Sequence, residues 1–426
     1  MAYFVQEEET LDRDGLVALQ RRKLTVMLTD VLATNAFYRN KFGGQSIDEV
    51  VNGFASLPFT CRAEIQQDQR DNPPYGTNLT YPVERYNRLH QTSASTGAPL
   101  RVVDRAEDWN WWKRCWGILY RAAGVTAADR FIFPFSFGPF IGFWGAFESA
   151  VELGNLCLPA GGMTTSARLK FLIENGVTML GCTPTYALRM AEVAREEGID
   201  LAGSTVRGLI VAGEPGGSIP ATRAAIESAW GARAFDHSGL SEVGPFGFEC
   251  EEAPGGMHMM ESEFIVEAID PDSQRATPEG EVGELVVTNL GRWGMPLVRY
   301  RTGDLARLRR GQCDCGRHFA WAEGGILGRI DDMFFIRGNN VYPSQIDDIV
   351  RGLGGIAEYR LEVDARGPMT QLKIEIEPAA GADGELARRL ERAVQDRLHF
   401  KPEVCTVAAG SLPRFEMKAR RLTKLS

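Results

Sequence analysis

Carboxylates, hydroxyls and one lysine in four short runs give this chain its first chemical signal. Asp304 follows Thr302-Gly303 in Tyr300-Arg301-Thr302-Gly303-Asp304-Leu305, downstream of a strand predicted over residues 284–288. A carboxylate in a turn there can accept two charge-strengthened hydrogen bonds from a ribose diol, or can simply close a type I turn. Glu242 ends Phe235-Asp236-His237-Ser238-Gly239-Leu240-Ser241-Glu242. It offers an oxygen ligand for Mg²⁺ beside a nucleotide, the alternative being a solvated loop glutamate. The run Thr92-Ser93-Ala94-Ser95-Thr96-Gly97-Ala98-Pro99 can wrap N–H and hydroxyl groups around phosphates. No Gly-Lys-Ser/Thr follows it, so it is not a Walker A loop, and an ordinary polar turn is the competing reading. Lys418 lies in a basic tail with Arg420, Arg421 and Lys424. Such a tail is usually solvated, unless one lysine acts on an α-phosphate.

A second constellation is of a different kind. Cys313-Asp314-Cys315-Gly316 places two thiols in a tight turn, and Cys250 and His258 precede it. A Cys₃His set suits tetrahedral, structural Zn²⁺. Three reduced cysteines beside a surface histidine are the alternative.

The elements that must position these groups read as α/β. Short apolar runs at 177–181, 208–212 and 264–269 read as strands, and 169–175 and 221–229 read as helices, an alternation expected of a sheet covered by helices. Residues 19–38 carry Leu24, Met27, Leu28, Val31 and Leu32 at helical spacing. After Asp331 the character changes. Residues 333–336 and the alternating run 371–377 read as strands, while 343–350 and 385–398 read as helices, the latter amphipathic through Leu386, Leu390, Ala393, Val394 and Leu398. The predicted architecture is a large N-terminal α/β domain, residues 1–330, and a small mobile α+β domain, residues 331–426, about the size of a common domain. Gly328-Arg329-Ile330-Asp331-Asp332 forms the charged hinge between them.

Composition narrows the partners. A chain of 426 residues exceeds one ordinary core. A net charge of −9 argues against nucleic acid, whose phosphates need a basic surface. No apolar run reaches membrane-spanning length, and the N-terminus is acidic, so no membrane association and a cytoplasmic location are expected. Eight scattered cysteines do not form a disulfide framework.

Taken in order, these runs resemble the adenylate-forming superfamily, most closely its phenylacetate–CoA ligase branch. The resemblance begins at Asn35-Ala36-Phe37-Tyr38-Arg39 and Leu57-Pro58-Phe59-Thr60. It continues through Ala212-Gly213-Glu214-Pro215, the Glu242 segment and Gly328–Pro343 to Lys418, and Gly338-Asn339-Asn340-Val341-Tyr342-Pro343 is especially characteristic. It implies an AMP-forming ligase that joins an acid to ATP as an acyl-adenylate and then passes the acyl group to CoA. The alternative acceptor is a carrier-protein thiol. By the resemblance, Ser93, Ser95, Thr96 and Gly97 cradle phosphates, Glu242 holds Mg²⁺, and Asp304 binds ribose with help from Arg329. Gly213, Glu214 and Pro215 border adenine with Asp236 near, Asp331 is the hinge, and Gly338 lines the thiol channel. Lys418 serves the first step by stabilising charge at phosphorus. Some members of the branch look similar at the cysteines, and many dimerise.

Two positions depart from the pattern: Ala94 where the loop usually has Gly, and Ser238 where an aromatic residue is usual. The glycine-relieved run Phe133–Trp144 suits a flat apolar acid, with core packing as the rival explanation. Phe137, Phe140, Ile141, His237, Ser238 and Gly239 are the expected acyl pocket, and an aromatic acid the expected substrate.

Overall fold

A computed structural model describes residues 2–92, 98–337, 339–367, 369–416 and 418–425. The expected phosphate-loop residues Ser93, Ser95, Thr96 and Gly97, the departure at Ala94 and the expected channel residue Gly338 lie outside these. Five strands, Leu156–Pro159, Arg130–Phe133, Met179–Cys182, Gly208–Ala212 and Arg233–Leu240, pair in parallel in that spatial order. The sheet continues through antiparallel strands that include Gly244–Phe248, Gly256–Met259, Val282–Asn289 and Tyr300–Arg309.

Why this sheet takes cover on both faces can be read in its alternation. Successive strand side chains point to opposite faces. Phe131, Phe133, Met179, Ile210 and Phe235 join one hydrophobic core, while Ile132, Leu180, Leu209, Val211 and Ala234 join another. The second core is closed by helices Thr165–Glu174, Pro184–Glu196 and Pro220–Trp230 through Leu169, Met190, Ile226 and Trp230. The first is closed by helix Ala106–Ala122, whose Trp109, Trp112 and Trp116 recur at helical spacing. Strands apolar on both faces are what a doubly covered parallel sheet requires.

A third core draws on residues 334–422. It underlies a four-stranded sheet, ordered Glu403–Thr406, Gln371–Pro378, Ile356–Asp364 and Leu422–Leu425, with helices Pro343–Leu353 and Leu386–Leu398. The mixed α/β body with a small C-terminal α+β unit is the fold class expected from sequence.

Two local expectations are corrected. The helix expected over 19–38 breaks at Asn35, because its side chain accepts the Tyr38 N–H (3.1 Å) and starts a new helix, Ala36–Lys41, after Arg13–Thr34. Asp304 is not in a tight turn but inside the strand Tyr300–Arg309. There the pairing passes from Val286↔Arg301 to Glu284↔Leu305, so Leu285 alone faces Thr302, Gly303 and Asp304. The surplus forms a bulge, and Gly303 takes the left-handed φ of +74° that a side chain would resist.

Candidate active site

The parallel pairing of strands Gly208–Ala212 and Arg233–Leu240 ends at Ala212 beside His237, and the second strand runs on to Leu240. Beyond carboxyl-terminal strand ends, an open α/β sheet leaves a crevice for ligands. The chain leaves the first strand through Gly213, whose φ is +96°, and a β-carbon there would lie 3.3 Å from Lys418 Cε. Pro215 is exposed beside it. Glu214 bridges two elements: Oε1 accepts the Thr185 N–H at the start of a helix (2.9 Å), and Oε2 accepts the Ala419 N–H (2.7 Å). The C-terminal tail is thereby seated against the crevice. Arg168 reinforces it by an ion pair with Glu416 (3.2 Å). Arg421 does so by donating to Thr185 (3.3 Å) while paired with Glu358 (2.6 Å). Thr222 donates to Asp347 (2.6 Å), docking helix Pro343–Leu353 onto helix Pro220–Trp230.

Lys418 keeps contact with solvent yet stands in a crowded cleft. Desolvation pulls its ammonium below the usual lysine range, while Glu214, Asp304 and Glu242 pull the other way. Asp304 is held by the bulge: Gly303 N donates to Glu284 (3.1 Å) and Asp304 N to the Thr302 hydroxyl (3.0 Å). Arg329 donates to Asp304 Oδ1 at 2.7 Å. Burial is the largest influence on Asp304, and with repulsion from Glu242 it raises the carboxyl to about 6 despite Arg329 and Lys418.

Glu242 is buried, not a solvated loop residue. Its Oε1 accepts from both Arg62 (3.1 Å) and the Tyr300 hydroxyl (2.9 Å). Its Oε2 has no hydrogen bond among the described residues, which fits a carboxylate that supplies one oxygen to Mg²⁺ alongside substrate phosphates. Asp236 is also buried; it accepts from Ser218 (2.5 Å) and the His237 N–H (3.0 Å), and desolvation raises its pKa. Asp331 is exposed, and the carbonyls of Asp331 and Met333 accept Lys424 Nζ at 2.6 and 3.0 Å.

The residues expected to form an acyl pocket are only partly brought together. His237 packs edge-on against Trp116 (4.6 Å between ring centroids), and rings continue through Phe143 and Phe135 to Phe137. Ile141 is buried in the same core, whereas Phe140 is 45% exposed. Ser238 is a correction: strand alternation turns it to the face of Asp236, opposite His237, so the two do not line one wall. Gly239 adjoins the bulge that follows, where a β-carbon would sit 3.4 Å from His237 Nε2.

Sequence reasoning missed Arg62, Arg168, Arg421, Lys424 and Trp116. Arg62 and Arg168 gain meaning from Glu242 and Glu416, 180 and 248 residues away, and Arg421, one of several cations in the tail, from Glu358 and Thr185, 63 and 236 residues away. Trp116 was signalled by the tryptophan spacing of its helix.

Away from the crevice, donor atoms of Cys250, His258, Cys313 and Cys315 all lie within 4.8 Å of one another. Cys250 and Cys313 sulfurs are 3.9 Å apart, and Cys315 Sγ is 3.4 Å from His258 Nε2. A tetrahedron with Zn–S of about 2.3 Å and Zn–N of about 2.0 Å has edges of roughly 3.8 and 3.5 Å, so the set fits. His258 is buried rather than at the surface, and its Nδ1 has no partner among the described residues. Thiol hydrogen bonds from Cys250 and Cys313, with His258, drive the Cys315 thiol well below its ordinary value. The turn is fastened by Gly316 N to Cys313 O (2.8 Å), by the Tyr3 hydroxyl to Cys315 O (2.8 Å) and by the buried Arg317–Glu9 pair.

No helix among the described residues is long and apolar enough to cross a membrane. The AMP-binding enzyme C-terminal domain family matches residues 338–425. A phenylacetate-coenzyme A ligase of Thermus thermophilus is 31% identical over 98% of this chain and 98% of its own length. One from Escherichia coli is 32% identical over 98% and 96%. Among solved structures, 2-hydroxyisobutyryl-CoA ligase in the postadenylation state superposes with a TM-score of 0.92 at 27% identity, covering 99% of this chain and 92% of that one. The same enzyme in its thioesterification state gives 0.75 at 28% identity over the same shares. The seating of the small unit seen here therefore corresponds to the postadenylation arrangement.

Proposed function

The chain belongs to the phenylacetate–CoA ligase family of AMP-forming acid–CoA ligases, and from that premise we propose that it activates an aromatic carboxylic acid. The observation that carries the reading is the seating of Lys418 against Gly213 and Glu214, among Asp304 and Glu242. The acid's carboxylate attacks the α-phosphorus of ATP, the bond to the β-phosphate oxygen breaks, and pyrophosphate leaves. Asp304 holds the ribose hydroxyls with Arg329 against it. Gly213, Glu214 and Pro215 border the adenine, with Asp236 behind them. Lys418 meets the charge that develops at phosphorus. Glu242 is the residue that would hold Mg²⁺, which when bound offsets phosphate charge. The small domain then turns about Asp331, with residues 1–330 and 331–426 as the two bodies, and Gly338 borders the incoming thiol. The thiolate of CoA attacks the acyl carbonyl and AMP departs. The relatives that span the chain are CoA ligases, so free CoA rather than a carrier protein is taken as acceptor. A structural zinc at Cys250, His258, Cys313 and Cys315 completes the reading.

The test is AMP release with ATP, Mg²⁺ and a panel of aromatic acids, with and without CoA. Release that needs both one aromatic acid and CoA supports the proposal. AMP formed only with aliphatic acids, or only with a carrier protein, refutes it.

Two finer expectations follow from charge. Asp304 must be ionised to accept from ribose, so kcat/KM for ATP should fall as pH drops through about 6. Removing the cation in Arg329→Ala raises that carboxyl further and should move the acid limb upward. An unmoved limb in pH profiles would remove Asp304 from the role. Glu214→Gln loses a charge that keeps Lys418 protonated, and its amide cannot accept from both Thr185 N and Ala419 N. Pyrophosphate exchange should slow about 10-fold, and its alkaline limb should shift to lower pH. A slowed variant with an unshifted limb would reduce Glu214 to a structural brace.

A further inference from the structure

His237 is a buried polar side chain for which the reaction derived above has no use. Its Nδ1 lies 2.7 Å from the carbonyl oxygen of Gly247 on the neighbouring strand. A carbonyl only accepts, so Nδ1 carries the hydrogen and the neutral ring has a bare lone pair on Nε2. Burial pushes the imidazole pKa down to about 4, so the neutral form persists throughout the working range of an enzyme. No group among the described residues donates to Nε2, so its lone pair is free to accept from a ligand.

The position of that lone pair follows from the strand. Asp236 and His237 alternate, Asp236 turning to Ser218 and the nucleotide side, His237 to Trp116 and the ring cluster. Gly239 lies on the same side as Nε2: a β-carbon there would stand 3.4 Å from Nε2 and 3.0 Å from the Gly244 carbonyl oxygen, so any side chain at this position would crowd the ring nitrogen. Ile141 and Phe143 on the same side are apolar, so they supply no donor. Among the rings named here the Trp116 indole N–H is the other polar group, and it makes no hydrogen bond to His237 among the described residues.

We propose that His237 is a specificity-determining residue whose Nε2 accepts a hydrogen bond from the bound acid, so that the preferred substrates are aromatic acids bearing a hydroxyl or amino group on the ring. The inference rests on the aromatic-acid reading given above. A site built to accept such a donor discriminates against the analogue that lacks it, because the bound analogue shields the acceptor from water without pairing it.

The experiment is acid-dependent pyrophosphate exchange, which reads the first half-reaction alone, with ring-hydroxylated and ring-aminated benzoic and phenylacetic acids and their unsubstituted parents. The expected result is a preference of at least about 100-fold in kcat/KM for one donor-bearing acid over its parent. His237→Leu should collapse that ratio to within about 10-fold, and His237→Gln, which retains an acceptor, should recover part of it. Equal use of donor-bearing and parent acids by the wild type overturns the inference and leaves the ligase reading intact. A His237→Leu that lowers both acids by one factor, with the ratio kept, also overturns it and marks His237 as a packing residue. Exchange with none of the aromatic acids overturns the aromatic reading, and the inference falls with it.

Discussion

Lys418→Ala is expected to lower acid-dependent pyrophosphate exchange by about 10²- to 10³-fold, the usual cost of deleting one preorganised group from a transition-state charge. Thioester formation from supplied acyl-adenylate should stay near the wild-type rate. The asymmetry has a structural basis. Lys418 reaches the crevice because Ala419 N is bound to Glu214 and Glu416 to Arg168. Both contacts join the small unit to the large one in an arrangement that superposes better on the postadenylation state of 2-hydroxyisobutyryl-CoA ligase than on its thioesterification state. On the proposed turn of the small domain, Lys418 would leave with it and the second step would proceed without it. Desolvation has already lowered its affinity for a proton, so its charge is held by the surrounding carboxylates and by incoming phosphates. Rapid-quench assays of the two half-reactions check this. Equal loss in both would mean that the lysine supports the fold and not the phosphoryl step.

Cys315→Ser is expected to abolish binding of about one zinc per chain and to lower the melting temperature by roughly 5–10 °C. Four donors, three of them sulfurs, converge within 4.8 Å in a buried place. Without a cation, thiolates so close repel one another; a tetrahedral cation removes that repulsion and takes the His258 Nε2 lone pair. The effect should spread, because the Cys313–Arg317 turn is tied to the N-terminal segment through Tyr3 and Glu9. Cys405→Ser, at a half-buried thiol next to Glu403 in the small domain, is the control and should keep metal and melting temperature. Metal analysis with scanning calorimetry decides the matter. Protein that takes up no zinc and melts unchanged after Cys315→Ser would exclude a metal centre.

What the sequence displayed, and what it hid, divide along physical lines. Strand runs such as 208–212 and 264–269 were legible because burial on one or both faces leaves a local pattern. The Cys₃His set was legible in part: Cys313 and Cys315 are neighbours, but Cys250 and His258 join them only through the pairing of strand Gly256–Met259 with Trp321–Glu323. Asp304 was seen, yet its setting was misjudged, since a bulge is a property of two strands and its brace, Glu284, lies on the other. The basic tail showed a lysine without showing where it docks, which depends on the bond from Ala419 N to Glu214, 205 residues away in sequence. Ser238 and His237 are adjacent in sequence and opposite in space, a separation the strand period of two would have revealed.

The central claim is that the acid's own oxygen attacks the α-phosphate and leaves with AMP. It is tested most directly by a single turnover with an aromatic acid labelled with ¹⁸O in its carboxylate, followed by mass spectrometry of the products. One label in the phosphate of AMP, none in pyrophosphate, and an acyl-CoA formed in equal amount is the predicted result. ADP with label in inorganic phosphate would instead mean an acyl-phosphate route, and the assignments of Asp304, Lys418 and the turning domain would fall together.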